Sequence, residues 1–223
     1  MVEKISVIIP AYQAEKYLSE AVASVRSQNW PGGLEVIIVD DGSHDGTFAL
    51  AQQLGDTALT KEQGGAASAR NAGLRVASGE LIMLLDADDV LLPGAAACLC
   101  TPLDRDPELA AVFGMVRDFV SPELTEEQQQ ALRVRPESYG GILPGCSLIR
   151  RWAFEQIGYF DEALKTGETV AWMLKLRDAG LLTTNLDDVV LKRRLHLTNT
   201  GRINAKQEMQ SYAAILRQRM RRK

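Results

Sequence analysis

Short apolar runs alternate with amphipathic stretches along the first part of the chain. Ile5-Ser6-Val7-Ile8-Ile9-Pro10-Ala11-Tyr12 is nearly unbroken in its hydrophobicity, and Leu34-Glu35-Val36-Ile37-Ile38-Val39 repeats the pattern before Asp40-Asp41-Gly42-Ser43. Runs of this length, rich in β-branched residues and closed by Pro or charge, predict buried strands. Between them, from about Ala14 to Asn29, Leu18, Ala21, Val22 and Val25 recur at helical spacing and predict a helix. Asp45-Gly46-Thr47 opens a second helix, a short strand is expected near Thr57 to Leu59, and Gly64-Gly65 introduces a third helix through Ala69-Arg70-Asn71-Ala72-Gly73. That helix leads into Gly79-Glu80-Leu81-Ile82-Met83-Leu84-Leu85, a strand that delivers Asp86-Ala87-Asp88-Asp89 at its end. The alternation predicts an α/β fold with a mostly parallel central sheet flanked by helices.

The acidic ends of those strands carry the candidate chemistry. Open α/β sheets bind ligands at the carboxyl ends of their strands. Clustered carboxylates repel one another unless a proton or cation intervenes, and a hard divalent cation held by one or two Asp oxygens completes its shell with substrate phosphates. Asp86 and Asp88 therefore mark a metal and phosphate address, with a solvated acidic turn as the alternative. Asp40 and Asp41 would cap the turn into Gly42 and Ser43 on a structural reading. Gly64 and Gly65 permit close backbone approach and an anion site at a helix N-terminus. Asp89 reads as a cap for the turn before a helix expected from Leu91-Leu92-Pro93-Gly94.

Composition fits one enzyme-sized α/β domain. The chain has 223 residues, 46% hydrophobic and 24% charged, enough to bury a substantial core. The expected organisation is a single domain over 1–223, with a first half over 1–100, a second half over 101–203 and a basic helix over 204–223. A net charge of -4 gives no reason to invoke nucleic acid. No run reaches a membrane-spanning length and Met1-Val2-Glu3-Lys4 does not open a signal segment, so a cytoplasmic location is expected. Cys98, Cys100 and Cys146 make an odd count, which argues against a disulfide framework. From Pro122 to Tyr139 the chain turns polar and helix-prone, as a lid over a binding site would be. Over 204–223, Met209, Tyr212, Ala213, Leu216 and Met220 form one side of a helix, and Arg217, Arg219, Arg221, Arg222 and Lys223 gather at its end. Such a helix docks on the body or rests peripherally on an anionic membrane surface. Nothing in the sequence specifies an oligomeric state.

Ser6-Val7-Ile8-Ile9-Pro10-Ala11-Tyr12, Ile37-Ile38-Val39-Asp40-Asp41-Gly42-Ser43, Ala69-Arg70-Asn71-Ala72-Gly73 and Leu85-Asp86-Ala87-Asp88-Asp89 resemble, in order, the motifs of glycosyltransferase family 2. Gly158-Tyr159-Phe160-Asp161-Glu162 and Gly167-Glu168 resemble its acceptor-side motifs, and Arg193-Arg194-Leu195-His196-Leu197-Thr198-Asn199 a basic C-terminal motif of some members. The resemblance implies a glycosyltransferase A architecture, a UDP- or GDP-linked sugar donor, Mn2+ or Mg2+, and inversion at the anomeric centre. It puts Pro10, Ala11 and Tyr12 along the nucleotide pocket, Asp40 on the base or ribose, and Gly65 and Arg70 near the phosphates. Asp86 goes to the ribose or a metal-bound water, Asp88 to the cation, His196 to a third metal position, and Arg194 to a phosphate. Trp172 lines the acceptor pocket. Each has a plainer alternative: core packing for Tyr12 and Trp172, helix orientation for Arg70 and Asn71, a solvated face for Arg193 and Arg194.

One position departs from the pattern. Family members carry Glu-Asp where this chain has Glu168-Thr169, and Thr cannot act as a base near neutral pH. Glu168 is the candidate catalytic base, with Asp161 as the other carboxylate and loss of activity as the third outcome. The expected function is metal-dependent sugar transfer to a saccharide, lipid or other acceptor, and the alternative is a catalytically weak or inactive donor-binding relative. A nucleotidyltransferase would show a Gly-rich loop after the first strand, where Pro10-Ala11-Tyr12-Gln13 stands instead.

Overall fold

In the computed structural model, which describes residues 3–140, 143–199 and 217, the apolar runs become the middle of a nine-stranded sheet. Strands β1 (Ile5–Ala11), β2 (Leu34–Asp40), β3 (Thr57–Thr60) and β4 (Leu81–Leu84) pair in parallel in the order β3-β2-β1-β4. Ile5, Val7 and Ile9 face one core together with Leu18, Val22 and Val25 of α1 (Leu18–Arg26), while Ile8, Ile37, Val39 and Ile82 face a second core under α3 (Ala66–Val76). Covering on both faces is why these strands read as unbroken hydrophobic runs. Helix α2 (Thr47–Leu54) joins the α1 side through Ala51. Close approach of α3 to β1 depends on Gly73, where an added Cβ would meet Ile8 Cγ2 at 2.4 Å.

The second part of the chain overturns the expectation of a mostly parallel sheet. It comprises β5 (Val90–Leu91), α4 (Ala95–Arg105), β6 (Leu109–Val120), α5 (Glu126–Gln130), β7 (Tyr139–Gly140), a 3-10 turn at Pro144–Cys146, β8 (Ser147–Arg150), α6 (Arg151–Ile157), α7 (Glu168–Asp178) and β9 (Leu182–Leu195). The order is β3-β2-β1-β4-β8-β6-β9-β5, with β7 also on β6. Among the described residues four strand pairings are parallel and four antiparallel, so the sheet is mixed. The strand-helix alternation that implied parallel crossovers stops at β4. After it, β8 returns through the long excursion from Val120 and wedges antiparallel between β4 and β6. Val90 and Leu91 pair with Lys192 and Leu191 as a strand, and the helix starts only at Ala95 behind Gly94 at φ +80°.

This topology aligns the chemistry. Because β8 is antiparallel to both β4 and β6, and β9 is parallel to β6, the strands β4, β6 and β9 all finish at one edge. The acidic turn after β4 and the basic motif after β9 therefore meet. The polar stretch after β6 holds α5, closed by a Thr125–Gln128 capping box. The basic helix expected over 204–223, with its membrane-surface reading, lies outside the described residues apart from Arg217, which is helical and exposed. No described helix is long and apolar enough to cross a membrane. The three cysteines are free thiols; burial, reinforced by Asp104, pushes Cys100 up to about 12, and burial pushes Cys146 up to about 11.

Candidate active site

Asp88 is the meeting point of the two motifs. Its Oδ2 lies 2.9 Å from His196 Nε2 and accepts from Asn199 Nδ2 at 3.2 Å. On the other side of the ring, His196 Nδ1 is 2.9 Å from Thr198 Oγ1 and accepts the Thr198 amide at 3.3 Å. Those partners assign the proton to Nε2. The Tyr17 ring packs on the imidazole at a centroid distance of 4.8 Å. Asp89 is buried and accepts the Arg194 amide at 2.9 Å, so it joins the turn to β9 rather than capping a following helix. Burial first, then the charges of Asp88 and Asp86, push the Asp89 carboxyl well above its ordinary range.

Arg194 does not present itself to a phosphate. It is 2% exposed. Its Nε donates to the Asp88 carbonyl at 2.9 Å and Nη1 to Ser121 Oγ at 3.3 Å, while Nη2 pairs with Glu20. The rings of Tyr17 and Phe119 cover the guanidinium at 4.8 and 4.6 Å. The expectation of a phosphate contact is corrected: this cation clamps α1, the acidic turn and β9 together.

Asp86 faces a different partner. Arg70 Nη2 donates to Asp86 Oδ1 at 2.8 Å, and Nη1 of the same guanidinium donates to Glu168 Oε1 at 2.7 Å. Burial favours losing the charge, yet the two carboxylates outweigh it and raise the Arg70 pKa. Arg70 Nε is buried with no hydrogen-bond partner, an omission that costs about 1–3 kcal/mol. Arg70, expected near the phosphates, instead has both terminal nitrogens on carboxylates, and it does more than orient α3. The neighbouring Asn71 donates to the Phe160 carbonyl at 2.9 Å and to Glu162 at 2.8 Å, and accepts the Phe160 amide at 3.0 Å, which ties α3 to the segment before α7.

Glu168 is the first residue of α7, behind Gly167 at φ +81°. Thr169, in the position of the family's base, is buried, with its Oγ1 3.5 Å from Glu168 Oε1. Trp172 is 1% exposed, stacks on Phe154 at 4.4 Å and donates its Nε1 to the Gly158 carbonyl at 2.8 Å. A satisfied, enclosed indole is core, and its placement in an acceptor pocket is corrected accordingly.

Asp40 is the buried last residue of β2, its oxygens each 3.3 Å from the Ser43 amide and Oδ2 3.1 Å from Thr60 Oγ1. The turn-capping reading is therefore present in the structure. Asp41 accepts from Lys61 Nζ at 2.8 Å, the Gly64 amide at 3.0 Å and the Gly65 amide at 2.7 Å. The glycine amides expected to greet an anion already hold a carboxylate. Pro10 and Ala11 close β1, and Tyr12 stands beyond them 43% exposed, outside the core.

Sequence reasoning missed Tyr17, Glu20, Ser121 and Glu123. Glu123 accepts from Lys16 at 2.6 Å and from Tyr17 and Ser121 at 2.7 Å each. Burial pulls its carboxyl upward, but these partners hold it well below the usual range. No local pattern announces a pair that is 106 positions apart. Among the described residues no three carboxylate, imidazole or thiolate groups converge on one point; Asp88 and His196 meet, and Asp86 turns to Arg70.

Known proteins share this arrangement of chain. The glycosyltransferase GlyG of Streptococcus pneumoniae is 40% identical over 184 residues, covering 71% of this chain and 60% of GlyG. AglE of Haloferax volcanii is 28% identical over 209 residues, covering 83% of this chain and 65% of AglE. An uncharacterized glycosyltransferase of Rickettsia prowazekii is 29% identical and covers 88% of this chain, which spans 65% of that protein. Among solved structures, the mannosyltransferase PcManGT from Pyrobaculum calidifontis in complex with GDP-Man and Mn2+ superposes with a TM-score of 0.75 at 21% identity, over 97% of this chain and 65% of that one. S. aureus TarS 1-349 in complex with UDP-GlcNAc gives 0.67 at 22% identity, over 88% and 60% respectively. The family profile described as Glycosyl transferase family 2 matches residues 6–158, and the chain belongs to that family.

Proposed function

We propose that this chain transfers a sugar from a UDP- or GDP-linked donor to an acceptor hydroxyl with inversion, assisted by Mn2+ or Mg2+ at Asp88 and His196. The observation that carries the reading is the Asp88 Oδ2–His196 Nε2 pair, 2.9 Å apart at the carboxyl edge of β4. Asp88 Oδ2 and His196 Nε2 are the two atoms that would hold the cation. A carboxylate with an imidazole suits Mn2+, and a site with few protein ligands leaves positions for water and diphosphate. The GDP-Man and Mn2+ complex of PcManGT and the UDP-GlcNAc complex of TarS support the same donor class. When bound, the cation supplies Lewis-acid stabilisation of the charge on the departing diphosphate.

The protein's own groups do the rest. His196 must offer an unprotonated Nε2, and the Thr198 hydroxyl, able to donate or accept, can receive the Nδ1 proton instead. Asp86, held by Arg70, would meet a ribose hydroxyl or a cation-bound water. Asp40, Pro10, Ala11, Tyr12 and Gly65 frame the nucleoside. Glu168 takes the proton of the acceptor hydroxyl; both of its bonds end on Oε1, which leaves Oε2 for that proton. The acceptor is a saccharide, a lipid or another hydroxyl compound. Burial of Thr169 at the family's base position favours a second reading, a catalytically weak relative that still binds donor.

The test is thermal stability with UDP or GDP, in Mn2+ and in chelator. A ligand at a hundredfold excess over its dissociation constant stabilises the folded state by about 2.7 kcal/mol, and this gain is expected only with the cation. Asp88→Asn should remove it while the unliganded melting point stays in place. Equal stabilisation in chelator would overturn the metal assignment.

A further inference from the structure

We propose that Arg70 is the positioning residue that lets Glu168 serve as base where Thr169 cannot. The inference rests on the transferase reading above. Adjacent helical positions differ by about 100° in direction, and α7 already includes Glu168, so its side chain does not leave the helix where the family's base would. What brings its carboxylate toward the donor is a cation from another helix. Arg70 sits buried on α3 and spans Asp86 at 2.8 Å and Glu168 at 2.7 Å with its two terminal nitrogens.

The unpartnered Nε shows the nature of that span. A guanidinium gripping a single carboxylate uses two parallel N–H groups of its fork. This one gives each carboxylate one end-on bond and leaves Nε unused. The arrangement holds two anions at the spacing of one fork, the donor-side Asp86 and the acceptor-side Glu168. A lysine, a point charge with no fork, cannot hold both at that spacing. The guanidinium is set in place by the Phe160 ring at 5.9 Å, and Asn71 fixes that ring's backbone.

In the step this serves, the acceptor oxygen forms its bond to the anomeric carbon as the bond from that carbon to the diphosphate oxygen breaks. The bonding pair leaves with the nucleoside diphosphate, and the hydroxyl proton passes to Glu168. Arg70 touches none of the reacting atoms; it aims the carboxylate that receives the proton.

The experiment uses the full chain with UDP-GlcNAc and GDP-mannose in Mn2+, water as the acceptor, release of nucleoside diphosphate as the rate, and calorimetry for donor affinity. Arg70→Lys is expected to lower kcat roughly a hundredfold, the scale of a positioned base, with donor Kd within about threefold because a positive charge remains beside Asp86. Arg70→Lys/Glu168→Gln should be no slower than Glu168→Gln alone, as for groups acting as one unit. Glu168→Asp, which keeps a carboxylate but draws it away from Arg70, should also lose kcat, and it decides the matter if Arg70→Lys melts early. Wild-type rates in Arg70→Lys or Glu168→Asp, multiplicative losses in the double variant, or a loss of donor affinity matching the loss of kcat would each overturn the inference. Donor binding without any wild-type turnover would overturn it too and leave the donor site standing. Absence of donor binding would instead bring down the transferase reading.

Discussion

The part of the sheet up to β4 and the part after it follow different rules of assembly. Up to β4, every pairing is parallel, β2 with β1 and β3 and β4 back on β1, and Asp40 and the acidic turn from Asp86 to Asp89 stand at strand ends. After β4, the strands return in the order β8-β6-β9 and the site is closed by distant partners. Asp88 and His196 are 108 positions apart, and Arg70 and Glu168 are 98 apart. The first part supplies the acidic strand ends, and the second decides which of those carboxylates are held by partners. The geometry of this edge is therefore set by the register of β9 on β6 and by the seating of α7 as much as by the acidic turn.

Three substitutions probe that contrast. The largest effect is expected at Trp172, whose enclosed indole joins α7 to the aromatic packing around Phe154. Trp172→Ala should cost about 3–5 kcal/mol in urea denaturation, and the folded fraction should bind donor as before. If stability holds and only the response to acceptor changes, α7 is a substrate wall and the assignment to the core fails. Next comes Asp40, at the end of the sequentially built strands. Asp40→Asn should weaken donor binding by roughly 1.5–3 kcal/mol, the range for a hydrogen bond to a charged group. Unchanged affinity in calorimetry would leave Asp40 with its turn alone. The smallest effect belongs to the polar excursion after β6. Thr125→Ala removes a capping box and should cost about 1 kcal/mol, visible as faster amide exchange over 126–130 with the main transition unmoved. A drop in the global melting point would mean that α5 is part of the common core.

The same contrast explains what could be read from residues alone. The β1, β2 and β4 strands were legible because apolar runs bounded by Pro, Gly or Asp have one dominant reading. Their acidic ends followed from the strand ends. β8 carries no such marker: Ser147-Leu148-Ile149-Arg150 is four residues long and owes its antiparallel direction to a return path, not to its composition. The meeting of Asp88 with His196 and Asn199 was legible only through family resemblance, whereas Arg194 and Trp172 show where resemblance misled. Both are functional-looking side chains whose polar atoms are consumed inside the protein. The role of Glu123 had no sequence signal, since Lys16 and Tyr17, which join it to the start of α1, lie far away in the chain.

The buried thiols have a practical consequence. With Cys100 near 12 and Cys146 near 11, almost none of either is thiolate at neutral pH, and burial shifts Cys98 in the same direction. The thiolate is the form that reacts, so Cys100 and Cys146 should be slow toward maleimides and mild oxidants, whereas Cys98 is only half-buried. With Cys98 replaced, a single cysteine introduced on the exposed surface of the excursion around α5 would then be the fast-labelling position of the molecule, and a dye there would report movement of that segment when a nucleotide-sugar is added.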